Sequence, residues 1–163
     1  MHGLVVDSDI PLPDVRPGPA SRVADVIFRS GPVRDVTASA GPGRILARMP
    51  RSDGDGAFYT LSDAGPGGWL LRFHGVCDVE IDARLDRATF HMDPAADAGL
   101  ASVLASGLVM ATILMLRGHL VLHASAVEHS GAAVAVVGRS GMGKSTVSAI
   151  LCRNGSRLIV ART

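Results

Sequence analysis

The chain has 163 residues, 16 of them basic and 15 acidic, so its formal net charge at neutral pH is +1. This length fits one ordinary domain or two small lobes, and it excludes two full-sized domains. The near balance of charge argues against nucleic acid as a partner, because holding a phosphate backbone takes a strongly basic surface.

Neither a targeting segment nor a disulfide framework is predicted. The apolar residues 4–6 are followed by Asp7, before a stretch forms that is long enough for a signal peptide. A cytoplasmic protein is therefore expected. Cys77 and Cys152 lie far apart and have no CxxC partner, which favours two buried thiols over a zinc site or a disulfide.

Short apolar runs separated by glycine and proline clusters fill the first part of the chain, and we predict an antiparallel β lobe over residues 1–94. The segment 77–82 alternates apolar and acidic residues, as in a strand with one face on a core. This pattern puts Asp78, Glu80 and Asp82 together on a face that we interpret as solvated rather than catalytic. The strand candidates are residues 4–6, 23–28, 44–49, 57–61, 69–73, 76–81 and 88–91.

The pattern changes after Asp93 and Pro94, where a proline at the first turn favours the start of a helix. Residues 98–116 contain no charged side chain, and Gly118 then provides a stop. Glycine, serine and threonine dilute this stretch, so it predicts a buried helix covered on most sides by the sheet rather than a membrane span. No membrane partner is expected. We assign the helix to a second region, residues 95–163.

Two valine-rich runs follow, residues 120–127 and 132–137, and the turn formers between them indicate a hairpin. The second run leads into a glycine-rich segment, a helix over residues 146–152 and a further strand from residue 157. Strand, glycine loop, helix and strand is the βαβ arrangement in which phosphate-binding loops occur.

The glycine-rich segment matches Gly-x-x-x-x-Gly-Lys-Ser, the Walker A pattern. Its glycines let backbone amides approach phosphate oxygens, and the next helix adds the positive end of its dipole. Lys144, the only lysine of the chain, would reach the β and γ phosphates, and the Ser145 hydroxyl would join a magnesium shell. We therefore predict ATP and Mg²⁺ as ligands; the alternative is a glycine-rich turn that only joins two elements. The predicted nucleotide-binding residues are Gly138, Arg139, Ser140, Gly141, Met142, Gly143, Lys144, Ser145 and Thr146.

Residues 122–127, 138–146 and 155–161 together resemble, in order and spacing, the catalytic core of HPr kinase/phosphorylase-like proteins. The match extends over residues 117–161. The opening residues 3–13 are similar to HPr kinase-related proteins of bacterial peptide-modification clusters, such as those beside lasso-peptide genes. The resemblance implies an α/β fold with an N-terminal antiparallel β lobe, a buried helix and an incomplete P-loop core. It also implies an ATP-dependent kinase that phosphorylates a serine of a protein or peptide.

The resemblance assigns roles to single residues. Lys144 would contact the phosphates, Ser145 would hold Mg²⁺, and His123 would stand beside the reacting phosphate as the catalytic residue. From the residues alone, a lone histidine on a strand is also often structural.

One departure from the family pattern leaves two alternatives open. The family places paired aspartates after its last matching strand, as base and metal partner, whereas this chain has Arg162 and Thr163 there and no acid after Glu128. A catalytically inactive nucleotide-binding or peptide-binding module, or a truncated fragment, would fit this difference. An unpaired strand edge with exposed apolar surface is expected, and with it a homo-oligomer.

Overall fold

The computed structural model describes residues 1–13, 18, 21–51, 54, 56–97, 99–139 and 141–160. It shows a mixed α/β protein with two sheets, divided into two compact units, Met1–His119 and Leu120–Thr163. The long apolar helix belongs to the first unit, with the strands that precede it, and the glycine loop belongs to the second.

A seven-stranded sheet organises the first unit, with the order β1-β2-β7-β6-β5-β4-β3. Strands β3 to β7 form consecutive antiparallel pairs, but β1 pairs with β2 and β2 with β7 in parallel. The prediction of a wholly antiparallel lobe is therefore wrong at this edge. The strands are β1 (Val6–Ser8), β2 (Val26–Ser30), β3 (Arg44–Pro50), β4 (Ala57–Asp63), β5 (Trp69–Phe73), β6 (Cys77–Ile81) and β7 (Arg87–Met92).

The core of the first unit lies between one face of this sheet and a continuous helix. The helix comprises α1 (Leu100–Leu104), a π-helical turn (Ala105–Val109) and α2 (Met110–Leu116). Its buried positions Ala101, Ala105, Val109 and Ile113 recur every four residues and join the same core as Phe28, Phe73 and Phe90.

Gly118 ends this helix, as predicted. Its φ of +85° lies in the left-handed region, and the amides of Gly118 and His119 bond back to the carbonyls of Met115 and Leu114. The long apolar stretch is thus a core helix with a defined stop.

None of the helices in the described part of the chain combines the length and the apolar character needed to span a bilayer.

The second unit is a small βαβ arrangement of β8 (Ala124–His129), β9 (Ala132–Val137), α3 (Lys144–Arg153) and β10 (Arg157–Val160). The predicted hairpin is confirmed: β8 pairs antiparallel with β9 around a turn in which Ser130 and Gly131 have φ of 52° and 80°. The strand β10 pairs antiparallel with the other edge of β8. Since both neighbours of β8 oppose it, β9 and β10 run parallel, and α3 connects them while contacting all three strands.

Candidate functional site

The Walker A segment begins directly after the last residue of β9, and its final two residues, Lys144 and Ser145, are the first two of α3. The amide of Met142 donates to the Arg139 carbonyl at 3.3 Å, and the amide of Val147 donates to the Gly143 carbonyl at 2.9 Å. The first bond turns the loop and the second begins the helix. The predicted succession of strand, glycine loop and helix is therefore present, while Ser140 lies outside the described residues.

Two glycines of the loop have a backbone conformation that other residues rarely adopt. Gly141 has φ of +80° and Gly143, the N-cap of α3, has φ of +79°. A Cβ added to either would meet no atom within 4 Å, so backbone conformation and open access, not packing, explain glycine here. Among the described residues no side chain caps α3, so none of them places a capping oxygen on the first amides of this helix.

Lys144 is folded back over the loop. Although its side chain is charged, the residue is only 7% exposed, and its Nζ donates to the Arg139 carbonyl at 3.0 Å. A Cβ at Gly138 would lie 3.9 Å from Lys144 Cγ, an ordinary contact distance, so the start of the loop lies beside the lysine stem. The ammonium group is thereby held inside the turn of the loop rather than extended into solvent.

The other predicted nucleotide-binding side chains that the structure describes differ in exposure. Ser145 is partly buried and follows Lys144 on the first turn of α3, and its hydroxyl has no hydrogen bond to the described residues. A free hydroxyl next to a phosphate site is the type of ligand that Mg²⁺ takes in P-loops. Arg139, Met142 and Thr146 are exposed.

His123 precedes β8 directly and is exposed. The last pair of the β8–β9 ladder is Ala124 with Val137, so continuing the register by one residue places His123 opposite Gly138. The backbone of His123 therefore lies at the edge of the sheet from which the loop emerges. Its imidazole has no hydrogen bond to the part of the chain that the structure describes.

Glu128, the only acid in the sequence of the second unit, lies at the other end of β8. Its carboxylate accepts hydrogen bonds from the amide of Gly131 at 2.8 Å and from Arg157 Nε at 3.3 Å. The Gly131 amide first, and then Arg157, hold the pKa of Glu128 below its ordinary value. Glu128 lies five positions after His123 along the strand, roughly 17 Å away, so this carboxylate cannot serve the loop.

Two buried hydroxyls of the second unit were not singled out in the sequence. Ser125 Oγ on β8 and Ser148 Oγ on α3 are both buried and have no hydrogen-bond partner among the described residues. Ser148 lies one turn after Lys144 on the same helix. The alternation of β8 could have indicated that Ser125 shares an inward face with Val127, but no sequence signal marks Ser148. Across the described residues, no group of three acidic, histidine or cysteine side chains could hold a metal ion.

The sequence reasoning also missed a charged cluster in the first unit. Asp78 is 2% exposed and accepts two hydrogen bonds from Arg72, at 2.6 and 2.8 Å. Arg34 Nη2 lies 3.1 Å from the same carboxylate and its Nη1 lies 2.9 Å from Glu80. The interpretation of this strand face as solvated is therefore wrong for Asp78, because two arginines compensate its charge in the interior.

Comparison of the chain with protein-family models, with curated proteins and with solved structures found no match in any of the three. The resemblance to HPr kinase/phosphorylase-like proteins therefore stays a prediction, which rests on the residues quoted for it. What the chain does has to be inferred from the geometry of the loop itself.

Proposed function

We propose that residues 138–146 bind the phosphates of ATP together with Mg²⁺. The observation that carries this proposal is the position of Lys144, 7% exposed at the uncapped start of α3, with its ammonium 3.0 Å from a carbonyl of the glycine loop. An ammonium has three donors, and burying it is costly unless those donors and its charge are compensated. A phosphate placed against the loop would accept from the lysine and from the free amides of the first helical turn.

The residues present also fit the metal. When bound, Mg²⁺ would neutralise part of the triphosphate charge, and Ser145 would supply a hydroxyl oxygen to its shell. The exposed guanidinium of Arg139 is near enough in sequence to add a further positive charge. These groups orient and neutralise the phosphates without themselves being consumed.

The finer proposal is transfer of the γ-phosphate to a serine of a protein or peptide. The serine oxygen would attack the γ-phosphorus, the bond from that phosphorus to the β–γ bridging oxygen would break, and ADP would leave with its metal ion. The serine proton needs an acceptor, and the exposed His123, opposite Gly138 in register, is the imidazole that we propose at this place. Serine phosphorylation and a cytoplasmic location were both predicted from the sequence, and we keep both as part of this proposal.

A second candidate function is nucleotide binding without transfer. It is favoured by the placement of Glu128, which is engaged by Gly131 and Arg157 at the far end of β8. Phosphoryl transfer usually employs a carboxylate or amide near the metal, and within the second unit no acid is available for that role.

Titration calorimetry of the folded chain with Mg·ATP tests the binding proposal. The wild type is expected to take up nucleotide, and Lys144→Ala is expected to weaken uptake by at least about a hundredfold, because it removes the buried charge. Arg153→Ala is the matched control, since it removes a cation from the last turn of the same helix and should leave the affinity unchanged. Uptake that is absent in the wild type, or equal in Lys144→Ala, would exclude a phosphate site here.

Transfer is tested separately with γ-labelled ATP and serine-containing peptides. The kinase proposal expects label on serine that is lost in His123→Ala, while nucleotide affinity persists in that variant. Nucleotide uptake with no labelled serine would favour the binding module.

A further inference from the structure

The strand β3 forms one edge of the seven-stranded sheet, and β4 is its only strand neighbour in the described part of the chain. All of its residues are exposed, including the large apolar side chains of Ile45, Leu46 and Met49. Apart from the ladder with β4, the backbone of residues 44–50 makes no hydrogen bond to the described residues. Because an antiparallel edge strand directs every second N–H and C=O outward, β3 offers unpaired backbone groups to an extended chain.

Irregular pairing limits the part of this edge that another strand could use. The register of β3 against β4 shifts before Ala47 and again after Met49, and Pro50 has no N–H to donate. Bulges and prolines at an edge oppose the addition of a long strand. The segment between the two shifts pairs regularly with residues 59–61 and has Arg48 at its centre. A bound chain would therefore pair with a short segment around this arginine.

The charge of β3 indicates what such a chain should carry. The strand contains no acidic residue, and its arginines, Arg44 and Arg48, are exposed and make no hydrogen bond or ion pair with the described residues. In register, Arg44 lies opposite Asp63, whereas Arg48 lies opposite Thr60, three positions earlier on β4. Since side chains alternate along a strand, the two arginines project on opposite faces of the sheet. On either face, an acidic partner complements the charge of this edge.

A pocket of about 150 Å³ opens on the face that Arg48 shares with Thr60, within the first unit. Its walls include the segment 38–40, and no carboxylate lines it. Thr60 Oγ1 lies 3.2 Å from His74 Nε2, and His74 Nδ1 lies 2.6 Å from the Ala38 carbonyl oxygen, so both polar side chains are already engaged. The guanidinium of Arg48 therefore remains as the charged donor of this pocket. Because pockets for drug-sized ligands take roughly 300–1,000 Å³, this one has room for a single side chain.

We propose that the segment of β3 centred on Arg48 binds an extended peptide with the pattern apolar, acidic, apolar. The register gives this pattern. An acidic side chain opposite Arg48 lies on the pocket face and pairs with the guanidinium, while its two neighbours project to the other face beside Ala47 and Met49. Main-chain hydrogen bonds supply affinity that is common to all peptides, and the pocket selects the acidic side chain.

NMR titration of isotope-labelled protein tests the peptide. The probes are acetyl-Thr-Val-Glu-Val-Thr-amide, the same peptide with glutamine in place of glutamate, and acetyl-Glu-amide, which has the carboxylate without a strand. Saturable shifts of the amides of Ala47, Arg48 and Met49 are expected with the glutamate peptide. The glutamine peptide should bind about 3–10-fold more weakly, because it keeps the shape and loses the charge.

Three results of this titration would overturn the proposal. No saturable shift with the glutamate peptide, or equal affinity for the glutamine peptide, would remove the acidic peptide as the ligand. Equal affinity for acetyl-Glu-amide would mean that the pocket binds a small carboxylate and that β3 adds no strand. Shifts of the same amides that depend on protein concentration, without any peptide, would identify a second copy of the chain as the occupant.

Variants of the two arginines test the assigned contact. Arg48→Gln removes an exposed charge that makes no internal bond, so the fold should be retained. Its affinity for the glutamate peptide should fall by about 3–10-fold, while its affinity for the glutamine peptide stays as in the wild type. Arg44→Gln is the matched control, since it removes the same charge from the other face of the same strand. An equal loss in both variants would show that general attraction, not pairing with Arg48, selects the acid.

Discussion

The two units of the chain bury different kinds of side chain. Of the buried apolar residues in the described part of the chain, all but Val127 belong to the first unit, where phenylalanines and aliphatic residues fill the space between sheet and helix. The other buried residues of the second unit are polar: Ser125, Lys144, Ser148 and Ser156. The first unit is thus held by its core, whereas the second keeps in its interior the lysine on which its proposed chemistry depends.

Strands of the second unit also expose apolar side chains, as β3 of the first unit does. In the second unit, Val137 of β9 is 60% exposed, and Leu158 and Ile159 of β10 are about half exposed. The sequence led us to expect apolar surface on this last strand, and the structure has it. Hydrophobic burial scales with apolar area removed from water, so the second unit obtains much less stabilisation from its sheet than the first does.

The largest expected effect tests where stability resides. Phe90 is buried and meets Phe28 edge to face at a centroid distance of 5.6 Å. Phe90→Ala should lower the free energy of unfolding by about 3–5 kcal/mol through lost burial and the cavity left behind. Val127→Ala in the second unit removes two methyl groups and should cost only about 1–2 kcal/mol.

Urea unfolding followed by circular dichroism measures both variants, and Val137→Ala is the exposed control, expected to stay within about 0.5 kcal/mol of the wild type. If Val127→Ala lowered the free energy of unfolding as much as Phe90→Ala does, the first unit would not obtain more stability from its apolar core than the second.

The next largest effect concerns the buried charge cluster. Asp78→Asn keeps the size of the side chain but leaves Arg72, which is 13% exposed at its side chain, without its anionic partner. Removing one partner of a buried ion pair should destabilise the first unit by about 3 kcal/mol. The same unfolding measurement on Asp86→Asn, whose pair with Arg84 is exposed, should show less than about 0.5 kcal/mol. Equal losses of unfolding free energy in Asp78→Asn and Asp86→Asn would mean that the buried pair of Asp78 with Arg72 stabilises the fold no more than the exposed pair of Asp86 with Arg84.

Local features of the fold could be predicted from the sequence, because local chemistry determines them. Each apolar run of the first unit contributes to a strand, although β1 and β2 begin later than their runs. The hairpin between β8 and β9 forms where Ser130 and Gly131 permit positive φ. The Walker A loop follows its strand directly, since glycine spacing and the helix start lie within one short segment.

Contacts between distant segments could not be predicted. Periodicity does not tell which strands become neighbours, so the parallel pairing of β2 with β7 was missed. Nor does alternation distinguish a solvated carboxylate from a buried one, and Asp78 is buried because Arg34 reaches it from a segment far away in sequence. The position of His123 opposite Gly138 required the strand register, which only the structure provides.

Thiol reactivity offers a third, chemical comparison of the units. Burial in the first unit, together with the nearby charge of Asp78, raises the pKa of the Cys77 thiol to about 12, so almost no thiolate forms near neutral pH. Cys152 in the second unit is only partly buried. Iodoacetamide at pH 8 should therefore modify Cys152 at least about a hundredfold faster than Cys77, as mass spectrometry of the digested protein would show. Comparable rates would mean that Cys77 is not enclosed by the core.

The smallest effect is electrostatic and lies in the second unit. The Gly131 amide and Arg157 hold the pKa of Glu128 below its ordinary value of 4.5. A lowered pKa means that the ionised carboxylate stabilises the fold above the unfolded-state pKa, and that this contribution is lost as the pH falls through the folded-state pKa. Because the Gly131 amide donates to Glu128 at 2.8 Å, its NMR chemical shift should titrate with a midpoint below 4.5 and should not titrate in Glu128→Gln. A midpoint at or above 4.5 would show that the hairpin turn does not bind this carboxylate in solution.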